Sequence, residues 1–287
     1  MSYRRRATPL HAAGAAAGCA YCLALAIAAL VLDNPVTLAA VTIAIFAAGV
    51  AAGAGVAMRR TLVFAVPLAV LIVLINALVT RNGLTVIVRL GNLPILGHTD
   101  VTLEATVYGA VLGLRALALI LCGALYTTAV DPDEVLRLFR RVSFRSALTA
   151  SLATRMVPIL MRDSRRLADA QRCRPGPPPS RFTLVRAASS GVLDRALDVA
   201  AALEVRGYGA LRTAPRHRRP LTRHALAFGA AALAVLALAI VARTASLAPF
   251  SAYPSLELSA GAGAWGVALA LIVVSLAPFL DRRGVVQ

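Results

Sequence analysis

Six stretches of this chain stay apolar for about the roughly 20 residues that a helix needs to cross a bilayer. They run from Ala12 to Leu32, Pro35 to Met58, Leu62 to Thr80 and Ala105 to Val130, with shorter ones at Ala225 to Ala242 and Ala262 to Leu280. A composition of 59% hydrophobic and 15% charged residues leaves too little polar surface for a water-soluble globule. The fold expected is therefore all-α: a polytopic membrane protein of about six transmembrane helices. After the third run, Leu84-Thr85-Val86-Ile87-Val88 is apolar again. The breakers Arg81-Asn82-Gly83 and Pro94 favour a re-entrant or surface hairpin there over a seventh span.

Charge sets the orientation. All 30 basic residues are Arg, and the net charge is +17. Arg4 to Arg6 precede the first run, Arg59 and Arg60 lie between the second and third, and Arg282 and Arg283 follow the sixth. The segment from Asp131 to His224 holds 19 Arg against 8 acidic residues, 19 − 8 = +11 of the total. The positive-inside rule puts all four groups on the cytoplasmic side. Arg81, Arg89 and Arg243 depart from the rule without reversing it. The expected organisation is a transmembrane region at 1–130, a cytoplasmic region at 131–224 and a second transmembrane region at 225–287. The protein is expected in the cell membrane, with both termini cytoplasmic. The amino-terminal Arg cluster and Cys19 faintly suggest a cleaved leader, but the run continues past the usual length of a signal core.

Enzyme chemistry finds no support. A chain without lysine cannot carry the lysine of a phosphate-binding loop, and neither H-E-x-x-H nor G-x-S-x-G occurs. His11, His98, His217 and His224 are scattered at loops and span edges, where solvated or interfacial roles are expected; Cys19-Ala20-Tyr21-Cys22 lies inside an apolar run with no second pair, so packing is the expected role of its cysteines. No catalytic residue, cofactor or metal site is expected, and no nucleic-acid partner. Within the spans, Arg115 and Asn76 stand out, because an ionisable or strongly polar side chain there is costly. Arg115 is expected either against a neighbouring helix or bound partner, or held by backbone carbonyls. Glu104 is placed at the outer interface. Gly49-Val50-Ala51-Ala52-Gly53 has the G-x-x-x-G spacing of close helix contacts.

The polar segment reads as three amphipathic helices. Asp131-Pro132-Asp133-Glu134 opens the first with a cap, a first-turn proline and acids at the positive helix end. The second, about Ala147 to Arg174, bears an apolar stripe of Leu152, Met156, Ile159, Leu160 and Leu167 opposite Arg155 and other arginines. Pro158 should kink it. Pro175-Gly176-Pro177-Pro178-Pro179 forbids helix beyond Arg174. The third, about Leu184 to Arg206, has Leu193, Leu197 and Ala200 at helical spacing, with Gly207 placed for a left-handed cap. Two helices thus finish in an arginine followed by a breaker, 32 positions apart. Complementing the helix carboxyl ends and anionic lipid is one reading of such cations; gripping a soluble partner is the other.

The ordered elements from Ile75-Asn76-Ala77-Leu78 and Gly113-Leu114-Arg115, through Asp131-Pro132-Asp133-Glu134 and Arg155-Met156-Val157-Pro158, to Ala170-Gln171-Arg172-Cys173-Arg174 and Val205-Arg206-Gly207-Tyr208 resemble one family. It is that of the transmembrane T components of energy-coupling factor transporters, which include the CbiQ proteins of cobalt uptake. That family usually has a small residue, Arg, then Gly or Ser at both helix ends, and Cys173-Arg174-Pro175 departs from it. The resemblance implies a scaffold whose coupling helices dock on two ATP-binding cassette ATPases, identical or paralogous. Arg174 and Arg206 would enter their grooves, flanked by Cys173, Val205 and Gly207 and supported by Gln171, Arg155, Pro158 and Tyr208. It also implies a separate small membrane S component that binds the solute, a vitamin or a cobalt or nickel ion. A self-sufficient secondary transporter or channel is the alternative; it would need polar residues in several spans.

Overall fold

The computed structural model describes residues 6–80, 85–93, 97–139, 144–173, 175, 181–207, 222–251, 257–258 and 261–281. The chain is an all-α membrane protein to which two short antiparallel hairpins are added. It divides into one unit of Met1–Pro132 with Pro220–Gln287 and a second of Asp133–Arg219.

The first unit begins with α1 (Pro9–Ala13) and α2 (Ala15–Val31), separated at Gly14, whose φ of 82° suits glycine. At the next turn, the Asn34 side chain accepts from the Val36 N–H at 2.9 Å and Pro35 takes the first helical position, so α3 (Pro35–Ala51) starts cleanly. It stops seven residues short of the expected Met58. Gly53 has a φ of 77°, in a tight turn that leads into α4 (Gly55–Val79). The Gly49 and Gly53 pair therefore does not lie on one helix face.

The strands β1 (Val86–Leu93) and β2 (Gly97–Thr102) pair antiparallel, so the apolar segment after α4 is a hairpin and not a span. Helix α5 (Leu103–Ala129) follows, capped by the Thr102 hydroxyl, which accepts from the Ala105 N–H at 3.3 Å. Glu104 is buried in the first turn of α5, and its carboxylate accepts from the Thr85 N–H at 3.1 Å. After the second unit come α9 (Arg223–Thr244), the two-residue strands β3 (Phe250–Ser251) and β4 (Glu257–Leu258), and α10 (Ala262–Leu276) with a closing 3₁₀ turn.

Among the described residues, four helices, α4, α5, α9 and α10 with its 3₁₀ turn, are long and apolar enough to cross a membrane. The two others, α2 and α3, have 17 residues each, about 25 Å, a little short of the roughly 30 Å hydrocarbon core. Helix α2 packs on α9 and α5, α3 on α10 and α5, and α4 on α5. Small residues make the core: Ala28, Ala44, Ala48 and Ala118 are fully buried. Tyr21, Phe228 and Phe279 meet edge to face at centroid distances of 5.0 to 6.3 Å. Outward, α4 leaves Val63, Phe64, Val70 and Leu74 exposed, Phe64 to 82%. Such an apolar face is untenable in water and ordinary in lipid.

The close helix contact is made by Gly109 and Gly113 of α5. A Cβ added at Gly113 would lie 2.8 Å from the Ala69 carbonyl oxygen, and one at Gly109 2.9 Å from the Asn76 Cβ. Gly113→Val is expected to destabilise the bundle by about 1–3 kcal/mol, since backbone cannot yield as a side chain does. Gly123→Ala, with nothing within 4 Å in the interior of α5, should cost no stability and add up to about 1 kcal/mol. Thermal unfolding in detergent checks both.

Candidate functional site

The second unit contains α6 (Pro132–Phe139), α7 (Phe144–Arg172) and α8 (Arg181–Val205). Both long helices begin about three residues before the sequence-based expectation. Helix α7 continues through Pro158, which is exposed, as is Arg155 one turn earlier. Its carboxyl end carries half-buried Gln171 and then exposed Cys173, whose N–H still bonds the Asp169 carbonyl at 3.2 Å. Arg174 lies outside the described residues, as does Tyr208.

Helix α8 ends in the open. Val205 is 89% exposed and Arg206 is exposed. The Arg206 N–H bonds Ala202 O at 3.3 Å, the Gly207 N–H bonds Glu204 O at 2.9 Å, and Gly207 has a φ of 71°. The left-handed glycine satisfies terminal carbonyls and stops the helix one residue after the arginine. The helix end thus exposes a large aliphatic side chain beside an arginine, whose planar fork can match a carboxylate.

Helices α7 and α8 pack through Leu152, Met156 and Leu160 on one side and Val192, Val199 and Leu203 on the other, around an apolar cleft of about 260 Å³. Beside it the Arg195 guanidinium donates to the Asp163 carboxylate at 2.7 Å. Of the α8 stripe expected from periodicity, Ala200 lines this cleft, whereas Leu193 and Leu197 face outward, each more than 60% exposed. The chain is apolar on two faces of α8, and spacing alone could not choose between them.

The intramembrane residues are placed apart. The Asn76 amide donates to the Ile72 carbonyl of its own helix at 2.9 Å. Arg115 reaches the α2–α3 turn: its Nε donates to Ala29 O at 3.2 Å and a terminal nitrogen to Leu32 O at 3.0 Å and to Asp33 Oδ1 at 2.7 Å. Asp33 also pairs with Arg243 from the end of α9. The carboxylate that holds both arginines was not singled out from the sequence. An isolated Asp-Asn before a helix reads as a cap, and its partners are 82 and 210 residues away. A cavity of about 310 Å³, lined by Asp33, Asn34, Thr37, Arg243 and Ser246 among others, opens beside the pair. Among the described residues, no cluster of His, Cys, Asp and Glu is arranged to hold a metal ion. The four cysteines are free thiols, and the Cys122 thiol donates to the Cys22 carbonyl at 3.1 Å across α5 and α2.

The profile of the CbiQ cobalt transport proteins matches residues 6–216, well over half of the chain and including both arginine-bearing helix ends. The chain belongs to the CbiQ family. Comparison with curated proteins gives no match. A CbiQ-family protein is a membrane component of a transport system, and the transmembrane helices and exposed helix ends described above are the parts such a component has to work with.

Proposed function

We propose that this CbiQ-family chain is the transmembrane scaffold of an energy-coupling factor importer. On this reading the ends of α7 and α8 dock in carboxylate-lined grooves on two ATP-binding cassette ATPases, identical or paralogous. The 1–130 and 225–287 regions form the membrane part and hold a separate S component that binds the solute, a vitamin or a cobalt or nickel ion. The chain sits in the cell membrane with both termini cytoplasmic, and ATP hydrolysis belongs to the partners.

The observation that carries the reading is the α8 terminus, where exposed Val205 and Arg206 are followed at once by left-handed Gly207. Arg174 and Arg206 are the docking residues, with Cys173, Val205 and Gly207 shaping the two ends and Gln171, Arg155, Pro158 and Tyr208 supporting them. Arginine suits a groove that closes around it, because its fork binds carboxylate and stays charged when desolvated. ATP-driven closing of the ATPase pair would draw the two ends relative to each other, and the long helices would carry that motion toward the membrane. A self-sufficient secondary transporter needs polar groups free to meet solute. Here Arg115 is engaged by two carbonyls and Asp33, and the Asn76 amide is bonded within its own helix.

Reconstitution tests the reading. The purified chain alone should neither hydrolyse ATP nor move solute across liposomes, and both activities should appear with the ATPases and the S component. Solute flux through the isolated chain would defeat it.

A further inference from the structure

We infer that the cavity between the α2–α3 turn and the end of α9 seats the phosphodiester of an anionic phospholipid headgroup, with Arg243 as its cation. The inference stands apart from the docking reading above. Three membrane helices meet at this point: α2 ends at Val31, α3 starts at Pro35 and α9 ends at Thr244. The ends of such helices lie where a bilayer keeps its phosphates, so a lipid headgroup is the oxyanion at hand. The cavity, about 310 Å³, is at the lower end of the roughly 300–1,000 Å³ typical of small-ligand sites.

Charge decides what the cavity can hold. Asp33 gives one carboxylate oxygen to Arg115 and the other to Arg243, so the cluster carries a net charge of 2 − 1 = +1. The two arginines are not equivalent. Arg115 is 20% exposed and spends its Nε and a terminal nitrogen on the Ala29 and Leu32 carbonyls as well as on Asp33. Arg243 is 59% exposed, lines the cavity and, among the described residues, has Asp33 as its one partner. A guanidinium has more N–H donors than one carboxylate oxygen can take, in a planar fork that matches phosphate. Arg243 therefore keeps donors for an anion while Asp33 holds it in direction. Ser246 also lines the cavity, at a φ of 50° that only glycine adopts without strain. Among the described residues its exposed hydroxyl has no protein partner, and it offers a second donor. The same charge disfavours a headgroup that ends in an amine: choline or ethanolamine would bring a third cation to a carboxylate already shared by two, whereas glycerol adds only hydroxyls. Beyond the charges the walls are apolar, with Val31, Ala242 and Phe250, which suits the methylenes of a lipid and not a free phosphate ion.

Native mass spectrometry of the full chain tests the site, after equilibration in detergent with dioctanoyl phosphatidylglycerol, dioctanoyl phosphatidylcholine or inorganic phosphate. One phosphatidylglycerol should be retained about tenfold more tightly than phosphatidylcholine, and inorganic phosphate at millimolar concentration should not displace it. Arg243→Gln should weaken that binding about tenfold, the loss of one charge-assisted contact. Arg59→Gln, exposed near the start of α4, should leave it unchanged. Ser246→Gly should weaken it about threefold with no fall in melting temperature, since glycine accepts the backbone there. Equal retention of the two lipids overturns the inference, and displacement by phosphate would make the site one for a free oxyanion and overturn the lipid assignment. Equal losses in Arg243→Gln and Arg59→Gln would mean general attraction of lipid to basic residues, and overturn it too. So would unchanged binding in Arg243→Gln; should that variant not fold, unchanged binding in Ser246→Gly decides in its place.

Discussion

Replacing Arg206 by Glu is expected to lower co-purification of the ATPases, or their coupled activity, by about a hundredfold or more. In the free chain Arg206 is exposed and its charge costs nothing. In the docked state its guanidinium would be desolvated against carboxylates, where removing one partner of a buried pair costs about 3–5 kcal/mol, and reversal at least that. Each 1.4 kcal/mol is about tenfold in affinity, so the loss spans two or more decades. Arg174→Glu should act in the same direction, less strongly, because Pro175 replaces the glycine that frees the other end. The double variant should be inactive while inserting normally. Arg186→Glu, exposed near the start of α8, is the control, since a surface charge contributes about 0–1 kcal/mol. Equal, mild effects at Arg206 and Arg186 would mean that the terminal arginines serve lipid and topology.

The second large effect is expected at Asp33. This carboxylate faces Arg115 from the middle of α5 and Arg243 from the end of α9, tying three helices at one turn. Asp33→Asn would leave Arg115, only 20% exposed, without its counter-charge. The full cost of an orphaned buried charge is about 3–5 kcal/mol; with Asp33 itself 38% exposed and two carbonyls still bonded to Arg115, about 2–3 kcal/mol is expected. Thermal unfolding in detergent should register that loss. Asp33→Leu combined with Arg115→Leu should recover most of it, because an apolar pair orphans no charge. An Asp33→Asn protein that melts with the unmodified one would make the cluster a surface pair of no structural weight.

Some of this architecture was legible in the residues and some was not, for identifiable reasons. Apolar run length marks α5 and α9 to within two residues, because lipid demands an uninterrupted stretch and the chain supplies polar residues just beyond. The hairpin after α4 was legible from its breakers. The length of α3 was not: Ala52 and Gly53 are as apolar as a span requires, and only the backbone at Gly53 turns the chain there. Periodicity failed at α8, where Leu193 and Val192 sit on adjacent faces and both are aliphatic. It failed for the glycines too, since G-x-x-x-G occurs at Gly49 and at Gly109 and spacing does not say which pair stays helical. Pairing of Arg115 with Asp33, and of Arg195 with Asp163, is tertiary and has no local signature.

Cross-linking from the α8 terminus tests the docking claim most directly. Val205→Cys, in a chain whose native cysteines are replaced by Ala, is co-expressed with an ATP-binding cassette ATPase pair from the same genome and treated with a short bifunctional maleimide. The account predicts a cross-link to an ATPase subunit whose yield changes when ATP is bound, and its loss in Arg206→Glu. Co-purifying ATPases that never cross-link to position 205, with or without ATP, would contradict it.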